Sequence, residues 1–178
     1  AAFAEAPPAT VQGAIAYASA LEQSGRRDEA RALIVQWWRT QSFEEAQQSR
    51  IASRWGGWLS SDDHVARLNM LLSGPHGPAT LAMIAMVPAD RQAVANAVLA
   101  LRTAYSPDQL VASLTPAQAN DPAVIQERVR LLRSANRQSE AFPLLRSLPA
   151  APNHTEGQNT LWSERRNYFL DALQARNW

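Results

Sequence analysis

Apolar residues return every three or four positions through most of this chain, in runs of roughly ten to sixteen residues, and proline, glycine or a cluster of polar side chains breaks each run. That period predicts amphipathic helices, and no stretch holds a convincing strand alternation. Thr10 reads as the cap of a first helix to about Ser24, with Val11, Ala14, Ile15, Ala18 and Leu21 on one face. Gly25 closes it, and Asp28 opens a second helix to about Thr40 that carries Ala32, Val35 and Trp38. Ser42 and Glu45 have capping-box spacing, which predicts a third helix with Phe43, Ala46, Ile51 and Trp55 inward and a stop at Gly56-Gly57.

Ser60 or Ser61 then begins a fourth helix, where Asp62 and Asp63 suit the positive end of the helix dipole and Val65, Leu68, Leu71 and Leu72 form the buried stripe. Ser73 to Pro78 reads as the loosest break in the chain. Between Leu81 and Val87 a strand competes, but alanine and methionine content favours a short helix. Further helices are expected at about 89–104, 107–114, 121–135, 139–148 and 159–177. Ser106-Pro107, Thr115-Pro116 and Asp121-Pro122 each pair a cap acceptor with proline at the first helical position. A cap at Ser139 would place Pro143 near the first turn, where its missing N–H does least harm, and Pro149 to Gly157 reads as the longest polar linker.

So many restarts predict an all-α fold of stacked helical hairpins forming a curved α-superhelix, tetratricopeptide-like but with irregular repeats. Residues 1–9 read as a flexible leader and 10–178 as a single α-superhelical domain. The turn Ser24-Gly-Arg-Arg-Asp-Glu-Ala30 has an echo in Ala135-Asn-Arg-Gln-Ser-Glu-Ala141. Each joins two helices through an Arg-x-x-Glu-Ala step.

Composition narrows the functions rather than the fold. Alanine, the best helix former, fills 33 positions, while only 7 glycines leave little material for phosphate-cradling loops. All 17 basic residues are arginine, for which a GC-rich genome is the simplest cause. The net charge of +1 and the absence of long arginine runs argue against nucleic acid and against a polybasic membrane patch. No stretch has the ~20 apolar residues of a membrane span. Zero cysteines exclude disulfides and thiol chemistry.

Candidate chemistry is sparse. His64, His76 and His154 lack metal-ligand spacing, and surface or capping roles suit them better. Glu44-Glu45 and Asp62-Asp63 sit in first turns, where the dipole accounts for them, and an arginine pairing of Glu164 would suit no general acid. No catalytic residue, cofactor site or metal site is therefore assigned. Six tryptophans suggest either helix packing or a sugar-stacking surface. Trp38, Trp55 and Trp162 fall on apolar stripes and read as packing anchors, whereas Trp58, in the Gly56-Gly57-Trp58-Leu59 connection, has the best claim to exposure.

Three landmarks, in order, carry a family resemblance. They are Trp58-Leu-Ser-Ser-Asp-Asp-His-Val-Ala-Arg-Leu-Asn-Met-Leu-Leu-Ser-Gly74, then Val87-Pro-Ala-Asp90 leading into Ala97-Val-Leu-Ala-Leu-Arg102, then Asp121-Pro-Ala-Val-Ile-Gln-Glu-Arg128 with Trp162-Ser-Glu-Arg-Arg166. Together they resemble the superhelical, non-catalytic region of soluble lytic murein transglycosylases, from about residue 40 onward. The resemblance implies a periplasmic setting and a role in peptidoglycan turnover, with peptidoglycan glycan strands or a separate lysozyme-like catalytic domain as partners. In that family the catalytic glutamate is typically followed by serine, and none of the nine glutamates here is. The expected function is thus a scaffold that positions a transglycosylase on glycan, with Trp58 and Arg166 as candidate glycan contacts. The alternative is a tetratricopeptide-like adaptor for a protein or peptide.

Overall fold

The computed structural model describes residues 7–103, 107–148 and 154–174, and every regular element among them is helical. The order is α1 (Val11–Gln23), α2 (Arg27–Thr40), α3 (Glu45–Trp55), a 3₁₀ turn (Gly56–Trp58), α4 (Ser61–Ser73), α5 (Pro78–Ile84) and α6 (Ala89–Thr103), followed by α7 (Pro107–Ser113), α8 (Pro116–Ala119), α9 (Pro122–Ser134), α10 (Gln138–Ser147) and α11 (Thr155–Gln174). Of the expected leader, residues 1–6 lie outside the described residues, while Pro8 is buried. The expected cap Ser106 also lies outside them.

Most starts follow the caps in the sequence. Thr10 Oγ1 accepts the Gly13 N–H, Ser60 and Asp63 form a reciprocal capping box, and Asp121 accepts the Ala123 N–H ahead of Pro122. Thr115 and Gln118 form a second reciprocal box at α8. The contested Leu81–Val87 segment falls in and just after α5, so helix wins there.

The echo between the two Arg-x-x-Glu-Ala turns extends to whole hairpins. α1 and α9 are each 13 residues long, capped at Thr10 and Asp121. Each ends in a 6→1 bond, Arg26 N–H to Leu21 O and Arg137 N–H to Leu132 O, both 2.8 Å. Gly25 at φ 77° and Asn136 at φ 57° take the left-handed position this ending needs, one permitted by glycine and the other tolerated by asparagine. Arg26 then grips Glu29, and Arg137 grips Glu140, each through Nε and Nη2. At the same offset Ala14, Ala18, Ala30 and Ile34 match Ile125, Val129, Ala141 and Leu145, all buried. One helix–turn–helix unit therefore occurs twice.

α4 is the hub, packing on α2, α5, α6, α9 and α11. The larger core cluster runs from Ile15 through Trp38, Trp55 and Leu68 to Val124. A smaller one, Ile125, Val129, Leu145, Leu148 and Leu161, joins α9, α10 and α11.

Several expectations need correction. The stripe of α2 is Ala30, Ile34 and Trp38; Ala32 is exposed and Val35 half-buried. The Ser42 box does not form: Glu44 precedes α3 without a side-chain cap bond, because Phe43 is pulled into the core and keeps residues 41–44 extended. Ala46 is consequently exposed, and Gln48 takes the inward place. Ser139 is no cap, since α10 already starts at Gln138 and Pro143 lies inside it. Ser139 and Pro143 both lie on the exposed side of α10, away from the inward Ala141 and Leu145, so the ring displaces nothing in the core. The last helix begins at Thr155, inside the expected linker, since His154 caps it: Nδ1 accepts the Gly157 N–H and the carbonyl accepts that of Gln158.

Ser73 to Pro78 is not loose. Gly74 is buried, its carbonyl accepts Arg102 Nη2 at 3.2 Å, and a Cβ there would meet Glu156 Oε2 at 3.3 Å. One residue earlier, the Ser73 carbonyl accepts Thr160 Oγ1 from α11 at 2.8 Å.

Candidate functional site

Trp58 is half-buried, not exposed. Its ring stacks on Trp55, centroids 6.0 Å apart, and the Arg27 guanidinium lies 5.8 Å from its centroid. Trp55 is fixed in turn by Glu22, which accepts its Nε1–H at 2.9 Å and an Arg54 bond at 3.1 Å. The Gly56-Gly57 turn thus folds Trp58 back onto α3, and the stack of Trp55 and Trp58 between arginines is a packing device.

Arg166 is exposed on α11, in an element that does not adjoin the Trp58 turn, so the structure does not unite the two expected glycan contacts. A different aromatic stands beside Arg166. Trp162, expected as a packing anchor, is 65% exposed, one turn before Arg166 on the outer face of α11. Phe169 (61% exposed) and Leu173 continue that face. The inner face is defined instead by Gly157, Leu161 and Glu164. A helix apolar on two opposite sides gives an ambiguous period, which is why the sequence did not separate the inward stripe from the outward one.

Charged groups inside the fold are consistently paired or capped. Arg67 is fully buried on α4. Its Nε donates to Gln48 Oε1 (2.6 Å) and its Nη1 to the carbonyls of Trp38 (3.1 Å) and Gln41 (3.2 Å), which are orphan acceptors at the end of α2. The guanidinium lies 3.8 Å from the Phe43 ring centroid and 4.7 Å from that of Trp38. Burial pushes its pKa down to about 9, so it remains a cation at neutral pH. The sequence offered one signal: Arg67 stands four residues before Leu71, on the buried arc of the helix.

Asp63 separates from its neighbour Asp62, which is exposed. Burial opposes its charge, but the Ser60 N–H and hydroxyl, with Arg39, together hold its carboxyl below the usual aspartate range. A group depressed in this way stabilises the fold above about pH 4 and loses that contribution as acid protonates it. Asp63→Asn should therefore cost about 2 kcal/mol at pH 7, and the gap to the parent should be narrower at pH 3, because protonation of the parent carboxyl removes part of the difference. Urea titrations of both proteins at the two pH values check this; a pH-independent gap would reject the assignment.

Glu127, which the sequence reading passed over, is buried between Arg102 Nε (3.1 Å) and Arg130 Nη2 (2.5 Å). Its signal was a carboxylate on the inner arc of α9, beside Val124. Glu164 is buried as well and pairs with Arg133 of α9 at 2.9 Å. Asp63, Glu127 and Glu164 each pair with arginine from another helix. His76 shares the Arg102–Glu127–Arg130 neighbourhood, where burial above all lowers its pKa. His64 sets its ring edge-on to Trp38 at 5.6 Å. Among the described residues no group of three histidines or carboxylates is placed to hold a metal.

Two of the concavities lie against α9. One, of about 260 Å³, lies between α7, α9 and α10, with Val111, Leu131 and Leu144 as apolar lining and Asp108, Arg137 and Glu140 around it. The other, about 170 Å³, lies where α4, α6, α9 and α11 meet, and Arg91 there is tied to Asp121 (2.5 Å) and Asn69 (2.7 Å). Compared with protein-family models, curated proteins and solved structures, the chain matches none. No helix among the described residues is long and apolar enough to cross a membrane.

Proposed function

We propose that this chain is a non-catalytic helical scaffold of a soluble lytic transglycosylase-like protein, acting in peptidoglycan turnover in the periplasm and positioning a catalytic unit on glycan. One observation carries the reading. The residues behind the family resemblance are those that weld the helices together: Asp63 caps α4 and holds Arg39, Arg67 clamps the end of α2, Asp121 caps α9 and holds Arg91, and Glu164 ties α11 to α9. Side chains spent on packing in this way suit a scaffold. Glycan contact then falls to the exposed Trp162–Arg166 face, where an indole plane and a guanidinium stand one helical turn apart.

Sedimentation with purified murein sacculi tests the proposal. The chain should pellet with sacculi and release no anhydro-muropeptides, and Arg166→Ala should weaken pelleting. Release of anhydro product would overturn the non-catalytic reading. The second reading, an adaptor for a peptide or protein, is favoured by the groove beside the duplicated α9–α10 hairpin. A saturable protein partner together with no affinity for sacculi would replace the first reading with that one.

A further inference from the structure

Serine, threonine, aspartate and asparagine are the usual helix caps, yet α11 is capped by an imidazole. His154 Nδ1 accepts the Gly157 N–H at 3.0 Å, and the residue is only 8% exposed. An imidazole accepts at Nδ1 only while neutral, with its proton on Nε2; the imidazolium is a donor at both nitrogens. A hydroxyl cap such as that of Thr10 keeps its acceptor at any pH. The turn that this bond secures also seats the helix, since Gly157 and Leu161 face inward and Thr160 Oγ1 donates to the Ser73 carbonyl at the end of α4. We propose that His154 is a proton-operated latch, which releases the first turns of α11 from the end of α4 when Nδ1 takes up a proton.

Three effects oppose that proton while the latch is closed. Two N–H donors would face each other across the cap. A cation would sit at the positive end of the α11 dipole. Burial, the largest effect on this ring, disfavours its charge and outweighs the opposing pull of Glu156. The other groups around the ring do not reverse the balance. In the corner where α4, α6, α9 and α11 meet, Arg91 and Asp121 are paired with each other, and Asn69, Ser73 and Gln126 are uncharged. Residues 149–153, just before the cap, carry no ionisable side chain. The direction of the response follows. With its pKa lower in the closed state than in the open one, His154 favours closure fully above about pH 6.5. Below that, opening gains up to about tenfold per pH unit until the closed ring titrates as well. Asp63, the carboxylate that caps α4, is held below the usual aspartate range and gives way only in stronger acid, so the hub keeps its cap while α11 loses its own.

Amide hydrogen exchange of the full chain, followed by NMR and expressed as protection factors so that the intrinsic pH dependence drops out, reads the latch. Between pH 7 and pH 5 the protection of Gly157 and Gln158 should fall at least about fivefold, while the amides of Leu68 to Leu72 in α4 keep theirs. His154→Asn supplies a cap oxygen that does not titrate and should show the same protection at both pH values. His64 and His76, whose pKa values burial also lowers, remain in both proteins, so the difference belongs to His154. The ring gives a second readout in the parent chain, independent of how well the variant folds. Its nitrogen shifts should show Nδ1 unprotonated at pH 7, and its titration should coincide with the loss of Gly157 protection. A ring that titrates while Gly157 stays protected would overturn the assignment, as would an equal loss across α4 or the same loss in His154→Asn. Sacculi take no part in these measurements, so the latch and the glycan reading stand or fall separately.

Discussion

Replacing Arg67 with alanine is expected to lower stability by about 3–5 kcal/mol, because the buried acceptors it serves would lose their partner with no water to replace it. The carbonyls of Trp38 and Gln41 and the Gln48 side-chain oxygen all accept hydrogen bonds from this one group, and the Phe43 and Trp38 rings line it. Lysine should recover less than half of the loss. An ammonium keeps the charge, but it cannot bridge three acceptors in one plane while lying flat on two rings. Urea unfolding followed by circular dichroism gives both numbers. A loss below ~1 kcal/mol for alanine would show that the end of α2 is held by something else.

The second large effect separates two tryptophans. Trp38→Ala should cost about 3–5 kcal/mol, the usual price of emptying a fully buried indole site. Trp162→Ala should change stability by no more than about 0.5 kcal/mol, as exposed positions generally do. Thermal or urea midpoints of the two variants decide the matter; equal losses would contradict the outward setting of Trp162. Because Trp38 lies against Arg67, the pair Trp38→Ala and Arg67→Ala together should lose less than the two single losses added.

Local rules were legible wherever a residue's role depended on its immediate neighbours. Thr10, Ser60, Thr115 and Asp121 cap helices as their spacing predicts, and the stripe of α1 is Ala14, Ile15, Ala18 and Leu21 as read. The all-helical class followed from the same period. What the sequence hid was set by distant partners. Phe43 leaves its expected helix because it lines the Arg67 site, contributed by α4 beyond the whole of α3. Ser73 to Pro78 reads as loose by composition, yet Arg102 and Thr160 reach it from α6 and α11. For the candidate site the same limit applied. Trp58 looked free because two glycines precede it, but the 3₁₀ turn over Gly56–Trp58 folds its ring onto Trp55. Arg166, read as a candidate glycan contact, is exposed, while its neighbour Trp162 was read as a packing anchor because both sides of α11 carry apolar residues.

The anchoring of Ser73 and Gly74 by α6 and α11 has a kinetic consequence. In an open row of repeats, each unit touches only the next, and order can spread from either end one unit at a time. Here the Thr160 to Ser73 bond spans 87 positions. Forming it requires closing a long loop before any reward arrives, an entropic barrier that slows the approach to the native state. The two duplicated hairpins rest on local contacts and are expected to form before α11 reaches the middle of the chain.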